Sequence, residues 1–590
     1  MLTKEEKLNE ELEIMRHSCA HVLAAAVQEL WPDVKFAIGP AIENGFYYDF
    51  DFGDVKIGED DLKKIEKKMK HIIKQNLEFE KRELGIEKAI EFEKERKANY
   101  KIDILEDLKK DGKKNVSYYW SGNFGDLCIG KHLGSTGKIK LDVFKLTKIA
   151  GAYWRGDEKN KMLTRIYGVA FETKEKLEYY LTVQTEAEKR DHRKLGRELD
   201  LFYIDERVGK GLPLFAPKGA IIRQILERWV EDEERKRGYQ KTYTSSLGSK
   251  QLYEISGHWA HYKDDMFITE ADESPYALRP MTCPHQFCIF QAKPRSYKEL
   301  PIRYSETSTL FRNELSGELS GLIRVRQFTI SEGHLICRAD QVEEEILGVL
   351  NLIEYILKTL GLNNYTYRFS KWDRENKKGK YVNNPEAWNK TQESMKKILD
   401  KAGVEYTEAD GEAAFYGPKL DVQYKNVNGK EDTIITVQVD FAMSGRFGLK
   451  YTDSNGKEAE PVVIHRTSLG CYERTLAYLI EHYAGAFPVW LSPVQVKLVA
   501  VSAKHVEYCT KQAQELMGAG IRVEVDFSDE TVGNKIRKAV AEKVPYMLVI
   551  GDREMESEKL NVRDRGAEDI REIGKDEFIK EILEKINSKL

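Results

Sequence analysis

Residues 311–328 read FRNELSGELSGLIRVRQF. An apolar approach ends on Phe311-Arg312-Asn313-Glu314. A Gly- and Ser-rich loop follows, and Arg324-Val325-Arg326-Gln327-Phe328 returns as a basic, aromatic strand. A planar guanidinium binds a phosphate in a fixed bidentate geometry, so arginines on such a loop suit a substrate on which charge develops at phosphorus. An isolated Arg-x-Glu is usually a surface ion pair; the loop and the returning strand argue against that reading here.

Working outward, the region from about residue 200 to 486 is dense in strands and turns, behind a helix at 219–238 ended by Gly238. Beyond Pro488 and Pro493 a compact alternation is predicted: strand 494–501, helix 505–517, strand 521–527, helix 531–543, strand 546–550, strand 560–565 and a final amphipathic helix. That is a small α/β domain. Upstream, Leu8, Leu12, Met15, Cys19, Val22, Leu23, Ala26, Val27 and Leu30 recur at helical spacing, and Leu62, Ile65, Met69 and Ile72 mark a second amphipathic helix. The charged run 174–199 reads as a linker helix. With 590 residues and one domain per roughly 150, three or four domains are expected.

Hydrophobic content of 41% with 33% charged residues is that of a globular, non-membrane chain, and no apolar run approaches the ~20 residues of a membrane span. The Glu-rich start MLTKEEKLNEELEIM is not a signal peptide. Seven scattered cysteines fit a reducing cytoplasm better than a disulfide framework. A net charge of −4 gives no support to a nucleic-acid partner, so any RNA surface must be a local basic patch.

His17 and His21 lie four apart on the first helix, and Cys128 and His132 repeat that spacing in GDLCIGKHLG. One such pair is ordinary surface chemistry. Two pairs within one segment supply zinc-type ligands and make a built site an equally good reading.

Three sets of residues together resemble the threonyl-tRNA synthetases, a class II aminoacyl-tRNA synthetase family. The first is RHSCAHVLAAAVQELWP with LTKIAGAYWRGDEKNKMLTRIYG; the second is the loop at 311–328; the third is Gly470-Cys471-Tyr472-Glu473-Arg474, which follows that loop in the family's order. The resemblance implies an α+β multidomain chain: an editing domain at 1–173, a linker helix at 174–199, an antiparallel-sheet catalytic domain at 200–488 and an α/β anticodon-binding domain at 489–590. It implies threonine activation with ATP, transfer to tRNA(Thr), and hydrolysis of mischarged Ser-tRNA(Thr) at the separate N-terminal site. Arg312 is implied on the α-phosphate, Arg474 and Arg324 on the outer phosphates with magnesium, Glu314 at the adenine end and Phe328 stacked on the base. The helix 219–238 is similar to the segment that forms the family's homodimer interface, with Ser245 where a proline is usual.

By the same resemblance, Cys283, His334 and His465 hold one zinc per subunit, and Glu332, Tyr416, Lys419 and Gln438 complete the threonine pocket. One thiolate and two imidazoles leave an open zinc position that threonine fills with its amino group and hydroxyl. Valine lacks the hydroxyl and is rejected. Serine lacks only a methyl, worth about 1–3 kcal/mol, which explains a second, hydrolytic site. Editing is implied for His17, His21, Cys128 and His132, with Lys101 and Asp126; Lys535, Arg537 and Arg563 are the implied anticodon contacts. His285 is a rival ligand by proximity, and Cys288 and Cys337 are expected to be core residues. Ile330 and Glu332 stand where the family commonly has Gln and Asp, Cys471 replaces a common serine, and Ile129 and Lys131 depart from the usual Arg and Pro. His17 comes so early that the form lacking the family's N-terminal ubiquitin-like domain is expected. The competing reading is a catalytically inactive synthetase-like RNA-binding or regulatory protein, which would typically lose Arg312 or Arg474.

Overall fold

The computed structural model describes residues 4–271, 273–376 and 379–590. Two compact units divide between Thr185 and Glu186. No described helix is long and apolar enough to cross a membrane.

In the first unit the helix Lys4–Leu30 runs unbroken because its small residues Ala20 and Ala24–Ala26, with Val22, Leu23 and Val27, are buried. With the helix Glu59–Lys74 it packs on an antiparallel sheet containing Gly45–Asp51, Met162–Ala170 and Phe144–Tyr153. Leu62, Ile65, Met69 and Ile72 of the second helix are all buried, as their spacing predicts. A three-stranded sheet, Glu80–Gly85, Asn115–Ser121 and Phe124–Leu127, carries the segment that leads to Cys128.

The predicted linker is two helices rather than one. Lys174–Arg190 ends, and Asp191 starts His192–Glu198 by accepting the amides of Arg193 and Lys194 with its side chain. An N-cap is local chemistry that a periodicity count passes over.

The second unit is organised by an eight-stranded sheet. Six strands are antiparallel, in the order Ile302–Phe311, Gln327–Cys337, Val462–Cys471, Glu431–Asp440, Lys419–Lys425, Tyr365–Ser370. A short parallel strand lies at each edge, Gln240–Lys241 and Tyr406–Ala409. The helices Val342–Thr359, Pro217–Lys236 and Tyr472–His482 contribute to the main core. Fully buried Arg466 pairs with Glu234 of Pro217–Lys236 at 2.7 Å and lies over the Tyr239 ring, locking that helix to the sheet.

The C-terminal part forms a five-stranded sheet in the order Val523–Asp526, Val496–Ala500, Tyr546–Ile550, Lys559–Asp564, Ile570–Gly574. The first three are parallel and the last two antiparallel. Every predicted element is present; Ile570–Gly574 is an additional strand, too polar to stand out by periodicity.

Candidate functional site

Register builds the floor of a cleft of about 730 Å³ in the second unit. His334 pairs with His465, His465 with Gln438, and Gln438 with Lys419, so four adjacent strands place these side chains in one row. Cys283 enters from the first residue of the helix Cys283–Gln291. Cys283, His334 and His465 are all buried, with one donor atom of each within 4.8 Å of the others.

Each histidine is oriented by a different partner. His334 Nδ1 lies 2.5 Å from Gln286 Oε1, whose amide is held in turn by Thr242 Oγ1. His465 Nε2 lies 2.7 Å from Asp440 Oδ2. That leaves His334 Nε2, a buried atom with no hydrogen-bond partner, and His465 Nδ1 for a ligand. Burial holds the His334 imidazole far below its ordinary pKa and therefore neutral. Two imidazoles, each with one nitrogen anchored and the other free of that anchor, beside a buried thiol, are a donor set for a tetrahedral metal ion. His285 takes no part; its Nε2 meets the Leu247 carbonyl at 3.4 Å.

Glu332 accepts the Thr282 amide at 3.1 Å, and burial pushes its carboxyl up. Tyr416 donates to Gln438 Oε1, and its ring lies 5.0 Å from that of His465. Lys419 is tied to Asp421 at 2.8 Å. Ile330 does not face a polar partner: it packs with Leu310, Val325, Phe328 and Cys471. Burial raises the Cys471 thiol to about 12, so it is a protonated donor to Glu473 rather than a nucleophile.

At the cleft's other end the Arg312 guanidinium lies over the Phe328 ring at 5.1 Å, and its Nε is buried without a partner. Arg324 reaches Glu318 at 3.2 Å and Glu314 at 3.6 Å. Arg474 is aimed by two backbone carbonyls, Ile323 and Thr433, each at 2.9 Å. His258 and His261 also line the cleft and were not anticipated; nothing local in GHWAHY announces them.

The first unit holds a separate cavity of about 800 Å³, lined by His17, His21, Lys101, Asp126 and Cys128. Cys128 Sγ lies 3.1 Å from His17 Nε2 and 3.4 Å from His132 Nε2. Gly130 permits this, since a Cβ there would sit 2.2 Å from the His17 ring. His21 stands outside that trio, edge-on to His132 at 5.1 Å, with Nε2 buried and unpartnered. Burial lowers His21 to about 4 and His132 to about 2, and raises the Cys128 thiol to about 11. Lys101 and Tyr48 both meet Asp126 at 2.5 Å; burial alone would raise this carboxyl, and the ammonium overrides it. The Ile129 side chain is 88% exposed at the mouth.

Residues 266–483 match the tRNA synthetase class II core domain (G, H, P, S and T), residues 495–585 the anticodon binding domain, and residues 116–167 the threonyl and alanyl tRNA synthetase second additional domain. The threonine–tRNA ligase of Clostridium botulinum is 55% identical over 579 residues, 98% of this chain and 89% of that one. The chain belongs to the threonine–tRNA ligase family. A second threonine–tRNA ligase, from a Geobacillus species, is 49% identical over 97% of this chain and 88% of its own. Among solved structures, the RNA binding domain of threonyl-tRNA synthetase from Cryptosporidium parvum is 34% identical with a TM-score of 0.64, covering 67% of this chain and 98% of its own. As a member of this family the chain is a ligase with a class II core.

Two positions depart from expectation, Lys535 and Cys288. Lys535 is buried and donates to the Ala500 carbonyl at 2.9 Å, so it is no surface contact; helical phase turns it inward. Arg537 is exposed and Arg563 half-buried. Cys337 is a core residue as expected, but Cys288 is exposed on the outer face of its helix. The residues missed were the orienting pair. Gln286 was accessible, three positions after Cys283 on one helix, whereas Asp440 meets His465 only through strand pairing.

Proposed function

We propose that this chain activates threonine with ATP, transfers it to tRNA(Thr) at the cleft of the second unit, and hydrolyses Ser-tRNA(Thr) at the cavity of the first. The observation that carries the reading is the buried trio Cys283, His334 and His465, with their donor atoms within 4.8 Å of one another and His334 Nε2 buried without a hydrogen-bond partner among the described residues. Cys283 Sγ, His334 Nε2 and His465 Nδ1 would hold one zinc ion. When bound, that ion supplies an open Lewis-acid position suited to the amino and hydroxyl groups of threonine.

The chain's own residues do the rest. Gln286 and Asp440 keep both imidazoles oriented. Glu332, Tyr416, Lys419 and Gln438 line the threonine end. Attack of the threonine carboxylate on the α-phosphorus forms the adenylate and releases pyrophosphate. Arg312 stabilises the charge that develops there, and Arg474 and Arg324 bind the outer phosphates with magnesium. Phe328 stacks on the adenine, beside Glu314.

In the first cavity, His17, His21, Cys128 and His132, with Lys101 and Asp126, position the ester of Ser-tRNA and a water. Burial keeps the His21 and His132 imidazoles neutral at pH 7, as hydrogen-bonding groups that orient the ester and the water rather than as strong bases, and keeps the Cys128 thiol protonated, so it is not a nucleophile. Exposed Arg537 and half-buried Arg563 are the proposed anticodon contacts. The proposed organisation is editing domain 1–173, linker 174–199, catalytic domain 200–488 and anticodon-binding domain 489–590. The proposed assembly is a cytoplasmic homodimer through Pro217–Lys236 and the edge strand Gln240–Lys241. The inactive synthetase-like alternative is disfavoured by Arg312 and Arg474, which both line the cleft.

Amino-acid-dependent ATP–pyrophosphate exchange across all twenty amino acids, before and after metal removal, tests the reading. Threonine is expected to give the strongest signal. No threonine signal from folded, zinc-replete protein would overturn it.

A further inference from the structure

One buried histidine of the second unit, His192, touches none of the groups proposed to bind substrate. It opens the short helix His192–Glu198, with the Phe202 ring stacked at 6.3 Å. Its Nδ1 lies 2.7 Å from Glu481 Oε1, and its Nε2 accepts the Leu322 backbone N–H at 3.2 Å. An amide N–H can only donate. Nε2 is therefore bare, and the ring proton sits on Nδ1, donated to the carboxylate.

Leu322 lies within the loop that joins Arg312 to Arg324. The loop closes on itself through hydrogen bonds between Ser320 and Arg324 and between Ser320 and Ile323. Gly321 has φ +49°, and a Cβ on it would lie 2.1 Å from His192 Nε2, so loop backbone and imidazole are in direct contact. The next carbonyl along, that of Ile323, accepts from Arg474 Nε. Arg474 and Glu481 sit two turns apart on the helix Tyr472–His482 and share a face. One helix thus holds two consecutive loop residues: Ile323 directly through Arg474, and Leu322 through His192 on Glu481. Arg324 follows immediately and extends toward Glu314 and Glu318.

We propose that His192 is a positioning residue for ATP: by fixing the Leu322 amide it sets where Arg324 and Arg474 present their guanidinium groups. This rests on the reading of those two arginines as ligands of the outer phosphates. Without the imidazole, the Leu322 N–H is left buried and unpaired, and the loop must move to satisfy it. The displacement falls on the ATP end of the cleft and spares the threonine end.

The test is ATP–pyrophosphate exchange by the zinc-replete full chain, with ATP and threonine varied separately. His192→Ala is expected to raise the KM for ATP about tenfold, the loss of one buried hydrogen bond, with little change in the KM for threonine or in kcat at saturating ATP. His192→Gln, whose amide can accept from Leu322 and donate to Glu481, is expected to restore most of the loss. Glu481→Ala should act in the same direction, and the double variant His192→Ala/Glu481→Ala should be no worse than the worse single one. The proposal is overturned if His192→Ala leaves the KM for ATP unchanged while Arg474→Ala raises it. It is equally overturned if both KM values rise together and His192→Gln restores neither. If Arg474→Ala alters neither the KM for ATP nor kcat, the phosphate-site reading itself fails and takes the proposal with it. Should His192→Ala not fold, as judged by thermal unfolding, Glu481→Ala decides: an unchanged KM for ATP overturns the proposal.

Discussion

His334 and His465 face one another across neighbouring antiparallel strands, their rings perpendicular at 90° and 4.7 Å apart. Their ring nitrogens come within 4.8 Å of one another and of the Cys283 thiol while each ring keeps its own anchor. The two anchors differ in kind, a neutral amide on His334 and a carboxylate on His465.

Asp440→Asn should weaken zinc binding about 10–100-fold, the usual effect of removing an orienting partner. Asp440 Oδ1 also accepts the amides of Ala442 and Met443, which an asparagine oxygen still can do. The fold should therefore persist. Competition with a chromophoric chelator measures the affinity; unchanged affinity would show that Asp440 does not orient His465.

Arg312→Lys should lower exchange about 10²–10³-fold, because a compact ammonium cannot reproduce the bidentate contact with a phosphate on which charge develops. The Arg312 guanidinium already lies over Phe328 with a bare Nε. Near wild-type exchange by the lysine variant would remove Arg312 from the α-phosphate.

Replacing His17 and His21 with alanine should let Ser-tRNA(Thr) accumulate while threonine-dependent exchange persists, since both residues lie in the first unit. Deacylation of preformed Ser-tRNA is the measurement, and an unchanged rate would clear these histidines of a hydrolytic role.

The first unit should lose stability as pH falls. Burial lowers His21 from 6.5 to about 4 in the folded state, so below pH 6.5 the unfolded chain binds more protons than the folded one. The contribution is fully present above pH 6.5, declines through the window from 6.5 to 4, and amounts to about 3 kcal/mol across it. His132, lowered to about 2, extends the decline to lower pH. Thermal unfolding between pH 7 and 4 should show the fall, and His21→Phe should flatten it; parallel curves for the two proteins would contradict the assignment.

The paired His and Cys residues of the first unit and the basic loop at 311–328 were legible in the chain as residue types at local spacings. The phosphate roles proposed for Arg312, Arg324 and Arg474 came from the family resemblance, because an Arg-x-Glu or a Glu-Arg turn alone is as often a surface ion pair. The multidomain α+β organisation was legible as well, from amphipathic periodicity and the change of composition along the chain, whereas the compact units divide between Thr185 and Glu186 and not at Pro488 or Pro493. Cys283, His334 and His465 needed the family resemblance, because nothing local ties residues so far apart. Only the tertiary structure decided which ring nitrogen of each histidine is anchored, because Gln286 arrives on a helix and Asp440 through the pairing of Glu431–Asp440 with Val462–Cys471. It also decided that Lys535 turns inward and Cys288 outward, since a charge or thiol count carries no helical phase relative to a core. And it joined His192 to Leu322 and Glu481, which stand 130 and 289 residues away. Sequence specifies which side chains are available and what their short-range turns allow. Their orientation belongs to register and packing, because a hydrogen bond across the sheet or between helices exists only once the strands have chosen their partners.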